Sequence, residues 1–232
     1  MVMAAGLGKR MRPLTATRPK PLVEVAGKPL IDHVFDRLRA AGVQRAVVNV
    51  HYLADALEAH LRHRVRDIDI IISDERAQLM ETGGGLVQAR GLIGNAPFLC
   101  VNSDNFWVDG PVDALAALAA RWDDAAMDAL LLMVPLARAN CHGGQGDFHL
   151  DAFGKISARR KPGRPAPFVW TGVQILSPRL IADWPEGPFS TNVFWNRAIG
   201  AGRAFGLVHQ GLWFDVGTPG AIAATEAALA SG

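Results

Sequence analysis

Residues 30–50 read LIDHVFDRLRAAGVQRAVVNV, and hydrophobicity changes its period within this stretch. Leu30, Ile31, Val34, Leu38 and Ala41 recur at three- and four-residue steps, which places them on one face of a helix. Gly42 stands where a C-terminal cap belongs. Ala46–Val50 then has the length and β-branched character of a buried strand. A helix that returns at once to a buried strand is half of a crossover unit, and parallel sheets are built from such units.

The same alternation extends outward in both directions. Val2–Ala4 is a short strand, followed by a loop rich in Gly and basic residues. Downstream, the patterns predict helices over Leu53–Arg64, Gly84–Ile93 and Pro111–Trp122. Strands are predicted at Ile68–Ile72, Phe98–Asn102 and Ala129–Val134. The second half is less regular. Asp147–Leu150 and Lys155–Ala158 flank a short turn and read as a hairpin. Trp170–Leu176 and Phe205–His209 read as strands, and Asn192–Ala201 and Pro219–Ala230 as helices, the last expected to pack on the sheet. The expected fold is α/β: a single Rossmann-like, mostly parallel sheet flanked by helices, with a small mixed insertion. It is expected to form one domain over residues 1–232.

Composition narrows the class. The 232 residues carry 24 Lys+Arg against 22 Asp+Glu, a net charge of +2, with no basic face of the kind a nucleic-acid partner needs. Half the residues are hydrophobic, which excludes a disordered chain. The longest apolar stretch, Ala129–Ala137, contains Pro135 and falls far short of the roughly 18 residues of a membrane span. No signal peptide opens the chain. Cys100 and Cys141 form neither a CxxC nor a disulfide framework, so a cytoplasmic, reducing location is expected.

Four stretches carry candidate chemistry. Ala4, Ala5, Gly6, Gly8, Lys9, Arg10 and Arg12 form a loop directly after the first strand, where α/β sheets place their ligand crevice. Glycines let backbone N–H groups approach an anion, and the cations neutralise it. The loop lacks the GxxxxGK[ST] pattern, and Met11 stands where a dinucleotide fingerprint has its third glycine. Lys20 lies between Pro19 and Pro21, which restrict the backbone and should hold Lys20 extended. Asp104 follows an apolar strand, at the edge where a carboxylate can hold Mg²⁺. Asp215 sits among aromatic residues in a turn before the last helix, an odd place for an unpartnered charge.

Gly6-x-Gly8-x-Arg10-x-x-Pro13-Leu14-Thr15, Pro19-Lys20-Pro21-Leu22, Asp104 after a strand, and Asp215-Val216-Gly217-Thr218-Pro219 occur in an order that resembles the sugar-1-phosphate nucleotidyltransferase family. The resemblance spans nearly the whole chain and implies the nucleotide-diphospho-sugar transferase fold. It implies an enzyme in which a sugar 1-phosphate attacks the α-phosphorus of a nucleoside triphosphate and expels pyrophosphate. Arg10, with the Gly6 and Gly8 backbone, would take the β- and γ-phosphates, and Lys20 the α-phosphate. Asp104 and Asp215 would hold Mg²⁺. Glu81-Thr82-Gly83-Gly84-Gly85 resembles the base loop, with Gly83 and Gly84 contacting the base through the backbone and Glu81 nearby. Thr171 and Gly172 resemble the sugar-contacting strand, and Lys161-Pro162 the phosphate-contacting lysine.

That form of the base loop, with the short C-terminus, is most similar to the N-acetylmuramate-1-phosphate uridylyltransferase branch, active in peptidoglycan recycling. It implies UTP and N-acetylmuramate 1-phosphate as substrates. GTP with mannose or heptose 1-phosphate, CTP with phosphocholine, or a homologue that binds nucleotide without turnover are the alternatives. No left-handed β-helix domain is expected to follow, and a monomer or small homo-oligomer is expected. One departure concerns the residue before Lys161, acidic in the family and Arg160 here. The cluster Arg159, Arg160, Lys161 and Arg164 would suit an acceptor with an extra negative charge. His60 and His63 are expected to decorate an exposed helix face, and Cys141-His142-Gly143-Gly144 to form a mobile turn.

Overall fold

The computed structural model describes residues 1–230. β1 (Val2–Met3) leads into the opening loop, which ends in the paired strands β2 (Glu24–Val25) and β3 (Lys28–Pro29). α1 (Leu30–Ala40), β4 (Arg45–Val50), α2 (Ala54–Arg64) and β5 (Asp69–Asp74) follow. Next come α3 (Glu81–Gln88), α4 (Arg90–Ile93), β6 (Phe98–Asn102) and β7 (Asn105–Val108). α5 (Ala114–Arg121) precedes β8 (Ala129–Pro135), β9 (Ala139–Asn140), β10 (Phe148–Leu150), β11 (Ile156–Arg159) and β12 (Phe168–Leu176). α6 (Asn192–Gly200), β13 (Ala204–Val208), β14 (Leu212–Asp215) and α7 (Pro219–Ala230) complete the chain.

The central sheet is mixed α/β in the expected sense. β5, β4, β1 and β6 run parallel, with Val2 opposite both Val48 and Val101. β12 joins antiparallel between β6 and β8, and β13 adds parallel to β8. The β10–β11 hairpin attaches to the start of β12 and forms the small mixed element. Both faces are covered, as buried parallel strands require. Val34, Phe35 and Leu38 of α1, Leu57 and Leu61 of α2, and Leu115 and Leu118 of α5 pack one face. Leu86 and Val87 of α3 and Phe194, Trp195 and Ala198 of α6 pack the other. Each of the Val, Leu and Phe side chains among them contributes about 1.5–3 kcal/mol on burial.

Several elements depart from the sequence expectation. The base-loop stretch is not a loop: Glu81–Gly85 is the first turn and a half of α3, and the helix is interrupted at Ala89 before α4. Lys20 is not extended but begins a short 3₁₀ turn over Lys20–Leu22, closed by Leu22 N to Pro19 O at 2.9 Å. A second sheet, ordered β7-β14-β9, was not anticipated. Its strands are only two to four residues long, too short for a period to register. It shapes the site, because Met11, Val23, Val25, Leu30, Phe106, Phe214 and Val216 form a third core beneath the opening loop. α7 packs on this side, against β14 and β2, rather than on the central sheet.

Candidate active site

The opening loop is anchored by its small residues. Ala4 and Ala5 are buried, and the Ala4 N–H donates to Asn49 Oδ1 at 2.6 Å. Gly8 adopts φ +60° and ψ 27°, the left-handed region that glycine enters without Cβ strain. A Cβ there would lie 3.0 Å from both Lys20 Cβ and Thr15 Cγ2, so the turn is pressed against the Lys20 segment. Gly8 O accepts from Met11 N and from Thr15 Oγ1. Met11 is fully buried, and this plug leaves Lys9 and Arg10 on the exposed rim.

The Lys20–Leu22 turn aims Lys20 at Asp104, with Nζ 2.5 Å from Oδ2. The pair is partly buried, 12% exposed at Lys20 and 33% at Asp104. Asp104 stands in the tight turn from β6 to β7, just past the parallel strands' carboxyl edge. Asp215 is the last residue of β14 and lies opposite Asn105 in the β7–β14 ladder. Asp104 immediately precedes Asn105, so the two carboxylates lie at the same end of this ladder although 111 residues apart in sequence. A Cβ at Gly217 would sit 2.9 Å from Arg10 Nη1 and 3.0 Å from Asp215 Oδ1, so Arg10 reaches this carboxylate's surroundings too.

Two cavities meet at this point. One of about 260 Å³ is lined by Gly6, Gly8, Lys9, Arg10, Lys20, Asp104 and Gly217. The other, about 390 Å³, shares Gly6, Lys20 and Asp104 and extends past Ala4, Ala5, Asn49, Glu81, Thr82, Asn102 and Ser190. The first offers glycine backbone and three cations, the requirements of a polyphosphate. The second is larger and has Lys20 as its one lining cation, suited to a nucleoside or sugar ring.

Among the described residues no group of three or more His, Cys, Asp or Glu is arranged to hold a metal. Asp104 and Asp215 together with substrate phosphates nonetheless supply an oxygen-only donor set, and Mg²⁺ commonly uses one or two carboxylates plus phosphates. The residues present fit that ion.

Other expected site residues have different surroundings. The Gly83 and Gly84 N–H groups donate to Phe189 O at 2.7 and 3.1 Å, so they are not free for a base. The glycines instead allow close packing: a Cβ at Gly84 would lie 2.0 Å from Gly187 O, and one at Gly85 2.7 Å from Glu75 Oε1. Glu81 does line the larger cavity, with φ +58°, a backbone region costly for a side chain of its size. Thr171 is fully buried, and its hydroxyl donates to Leu132 O at 2.9 Å. Gly172, at φ +86°, interrupts the β12–β8 register and lies against the Asn105 amide. Lys161 is exposed and lines a separate cavity of about 310 Å³ with His149, Ser157, Arg159 and Arg164.

The structure adds residues that sequence patterns passed over. Glu75 is buried beneath the larger cavity and accepts from Asn49 Nδ2 and from Met80 N at 2.7 and 3.0 Å. Burial pushes its carboxyl above the ordinary range, while these donors pull the other way. The Glu75–Asn49–Ala4 chain of bonds ties α3 to the opening loop. Asn105 Nδ2 is buried with no partner within the protein, a polar donor beside Asp104 that adjacency to that residue could have flagged. His142 is not in a free turn: its Nδ1 lies 3.1 Å from Asp215 Oδ2. His60, expected on an exposed face, instead bonds the buried Asp32 at 2.6 Å.

Comparison with known proteins gives consistent results. The family model described as nucleotidyl transferase matches residues 1–232. An N-acetylmuramate alpha-1-phosphate uridylyltransferase of Caulobacter vibrioides is 48% identical over 233 residues, covering 99% of this chain and 96% of that protein. The protein of the same description from Neisseria meningitidis serogroup B is 36% identical over 220 residues, covering 94% and 92%. Among solved structures, UDP-glucose pyrophosphorylase complexed with UDP-glucose superposes with a TM-score of 0.82 at 17% identity. The match covers 99% of this chain and 97% of that one, and it shows the shared fold.

Proposed function

The chain belongs to the nucleotidyl transferase family, whose members transfer nucleotidyl groups to sugar 1-phosphates, and from that premise we propose that it converts UTP and N-acetylmuramate 1-phosphate into UDP-N-acetylmuramate and pyrophosphate. The observation that carries this reading is that Lys20 and Asp104 stand where the two cavities meet, with Arg10 lining the smaller one and Asp215 Oδ1 beside its Gly217 edge, in a chain 48% identical to an enzyme of that description.

The chemistry asks little covalent work of the protein. A phosphate monoester has its second pKa near 6, so the sugar phosphate is already an anionic nucleophile at neutral pH and needs no general base. What remains is positioning and charge stabilisation. Arg10, Lys9 and the Gly6–Gly8 backbone take the β- and γ-phosphates in the smaller cavity. Lys20, at the junction, faces the α-phosphate, where negative charge concentrates as the new bond forms and the pyrophosphate oxygen departs. Asp104 and Asp215 are the carboxylates that would hold Mg²⁺, which neutralises phosphate charge when bound. Uracil and ribose occupy the larger cavity against Glu81, Thr82 and Asn49. With the Gly83 and Gly84 amides bonded to Phe189 O, base selection falls to groups that face the cavity.

On the acceptor side, Gly172 and Asn105 support the sugar end through backbone and amide. Lys161 with Arg159 and Arg164 forms a cationic cavity without a carboxylate in its lining. This suits an acceptor bearing a carboxylate besides its phosphate, as N-acetylmuramate does. The reading places the reaction in the cytoplasm, in a monomer or small homo-oligomer. No helix among the described residues is long and apolar enough to cross a membrane, and Cys100 and Cys141 are free thiols.

Pyrophosphate release tests the assignment, with UTP, GTP, CTP and dTTP crossed against the 1-phosphates of N-acetylmuramate, N-acetylglucosamine, glucose and mannose. Dominance of UTP with N-acetylmuramate 1-phosphate is expected. Dominance of GTP with mannose 1-phosphate would move the substrate assignment while leaving the transfer chemistry in place.

A further inference from the structure

The loop from Cys141 to Gly146, between β9 and β10, lies against β14 and brings His142 to Asp215. Nδ1 of His142 is 3.1 Å from Oδ2. A carboxylate only accepts, so the ring is in the tautomer whose Nδ1–H donates. Three further contacts fix it. The imidazole tilts over the Trp213 indole at 6.0 Å between centroids. A Cβ at Gly144 would lie 2.4 Å from Nε2, so the backbone of Gly144 packs close against the far nitrogen. Asn140 Nδ2 donates to Trp213 O at 2.9 Å, and β9 pairs with β14 over Ala139 and Asn140, which fastens the loop to Asp215's own strand.

The other oxygen is left for different work. Asp215 Oδ1 points to the Gly217 side, where Arg10 Nη1 also lies and where the phosphate cavity opens. A carboxylate tethered at one oxygen loses its side-chain rotation before any ion arrives, which is how outer partners of metal ligands raise affinity.

We propose that His142 is a positioning residue that fixes Asp215 by its Oδ2 and so presents Oδ1 to the divalent cation. The proposal rests on the assignment of Asp215 as a cation ligand. His142 lines neither of the two cavities that meet at Asp104.

The test uses Mn²⁺ as the probe, with its binding to the UTP-loaded enzyme followed by electron paramagnetic resonance. The parent is compared with His142→Ala, His142→Asn and Asp215→Asn, and the thermal midpoint of each is recorded. His142→Ala is expected to hold Mn²⁺ about 10-fold more weakly at an unchanged midpoint. His142→Asn, whose amide can donate to the same oxygen, should stay close to the parent. Asp215→Asn should lose most of the binding. Parental Mn²⁺ affinity in His142→Ala beside a weakened Asp215→Asn overturns the positioning role alone. A lowered midpoint in His142→Ala that His142→Asn does not rescue also overturns it, as the mark of a structural clamp. Parental affinity in Asp215→Asn overturns the cation assignment of Asp215 itself.

Discussion

Replacing Gly84 by alanine removes a helix-disfavouring residue from α3 and drives a methyl group into the chain that crosses it. Propensity alone favours the substitution by about 1 kcal/mol. The new Cβ, however, would stand 2.0 Å from Gly187 O and 3.1 Å from Gly187 C. Carbon and oxygen rest at roughly 3.3 Å or more, so the crossing segment must retreat by over about 1 Å. Overpacking of this kind costs about 1–3 kcal/mol. The same segment carries Phe189 O, which accepts from Gly83 N and Gly84 N, and each weakened bond adds up to about 1 kcal/mol. The clash therefore outweighs the propensity, with a net loss of about 2 kcal/mol and a melting temperature lower by roughly 4–8 °C. Ser190 and Thr82 line the larger cavity, so the KM for UTP should rise as well. Gly91→Ala serves as the control, since nothing lies within 4 Å of its Cβ position; it should be neutral or slightly stabilising. Differential scanning calorimetry on the three proteins checks this. Gly84→Ala melting at or above the parent would refute the reasoning.

Other substitutions separate structural from chemical roles. Thr171→Val removes the buried bond to Leu132 O and should cost about 1–2 kcal/mol in urea denaturation while leaving acceptor KM unchanged; a raised KM at parental stability would reinstate a sugar contact. Lys161→Ala should raise acceptor KM several-fold and flatten its rise with salt, without moving the KM for UTP; an identical salt profile would remove Lys161 from the acceptor site. His209 is buried between Val108 O and Leu212 O, and burial holds its imidazole below the ordinary value. The unfolded ring takes up a proton near pH 6.5 while the folded ring resists, so unfolding binds protons and stability is lost as pH falls below about 6.5. Urea midpoints at about pH 8 and about pH 5.5 should therefore diverge in the parent and converge in His209→Gln.

The parallel half of the fold was legible because its signals are long. Five- and six-residue apolar strands alternate with helices such as Leu30–Ala40, whose buried positions include Leu30, Ile31, Val34 and Leu38 as the spacing predicts. The β7-β14-β9 sheet was not legible. Asn105–Val108 follows the polar Ser103–Asp104 turn, and Leu212–Asp215 is four residues long, so neither shows a period. That sheet is what brings Asp215 beside Asp104, and no spacing in one dimension encodes a pairing across so long a separation. The opening loop and Lys20 were readable from residue type, yet the lysine's 3₁₀ turn was not, because Pro21 follows it and normally disfavours such a conformation. The family resemblance sets the Gly83–Gly84 backbone against a base, whereas in the fold the close partners of the Gly83–Gly85 run are protein: residues 187–190 and Glu75. Thr171 illustrates the opposite problem, since a hydroxyl inside a strand pattern does not tell whether it faces a ligand or a neighbouring carbonyl.

The most direct test of the account follows the α-phosphorus itself. UTP labelled at that atom is incubated with N-acetylmuramate 1-phosphate and Mg²⁺, and the labelled products are separated for the parent and for Asp104→Asn. The account predicts label in a nucleotide-sugar, one pyrophosphate released per product, and no product from Asp104→Asn. Label recovered as UMP, or parental turnover by Asp104→Asn, would contradict it.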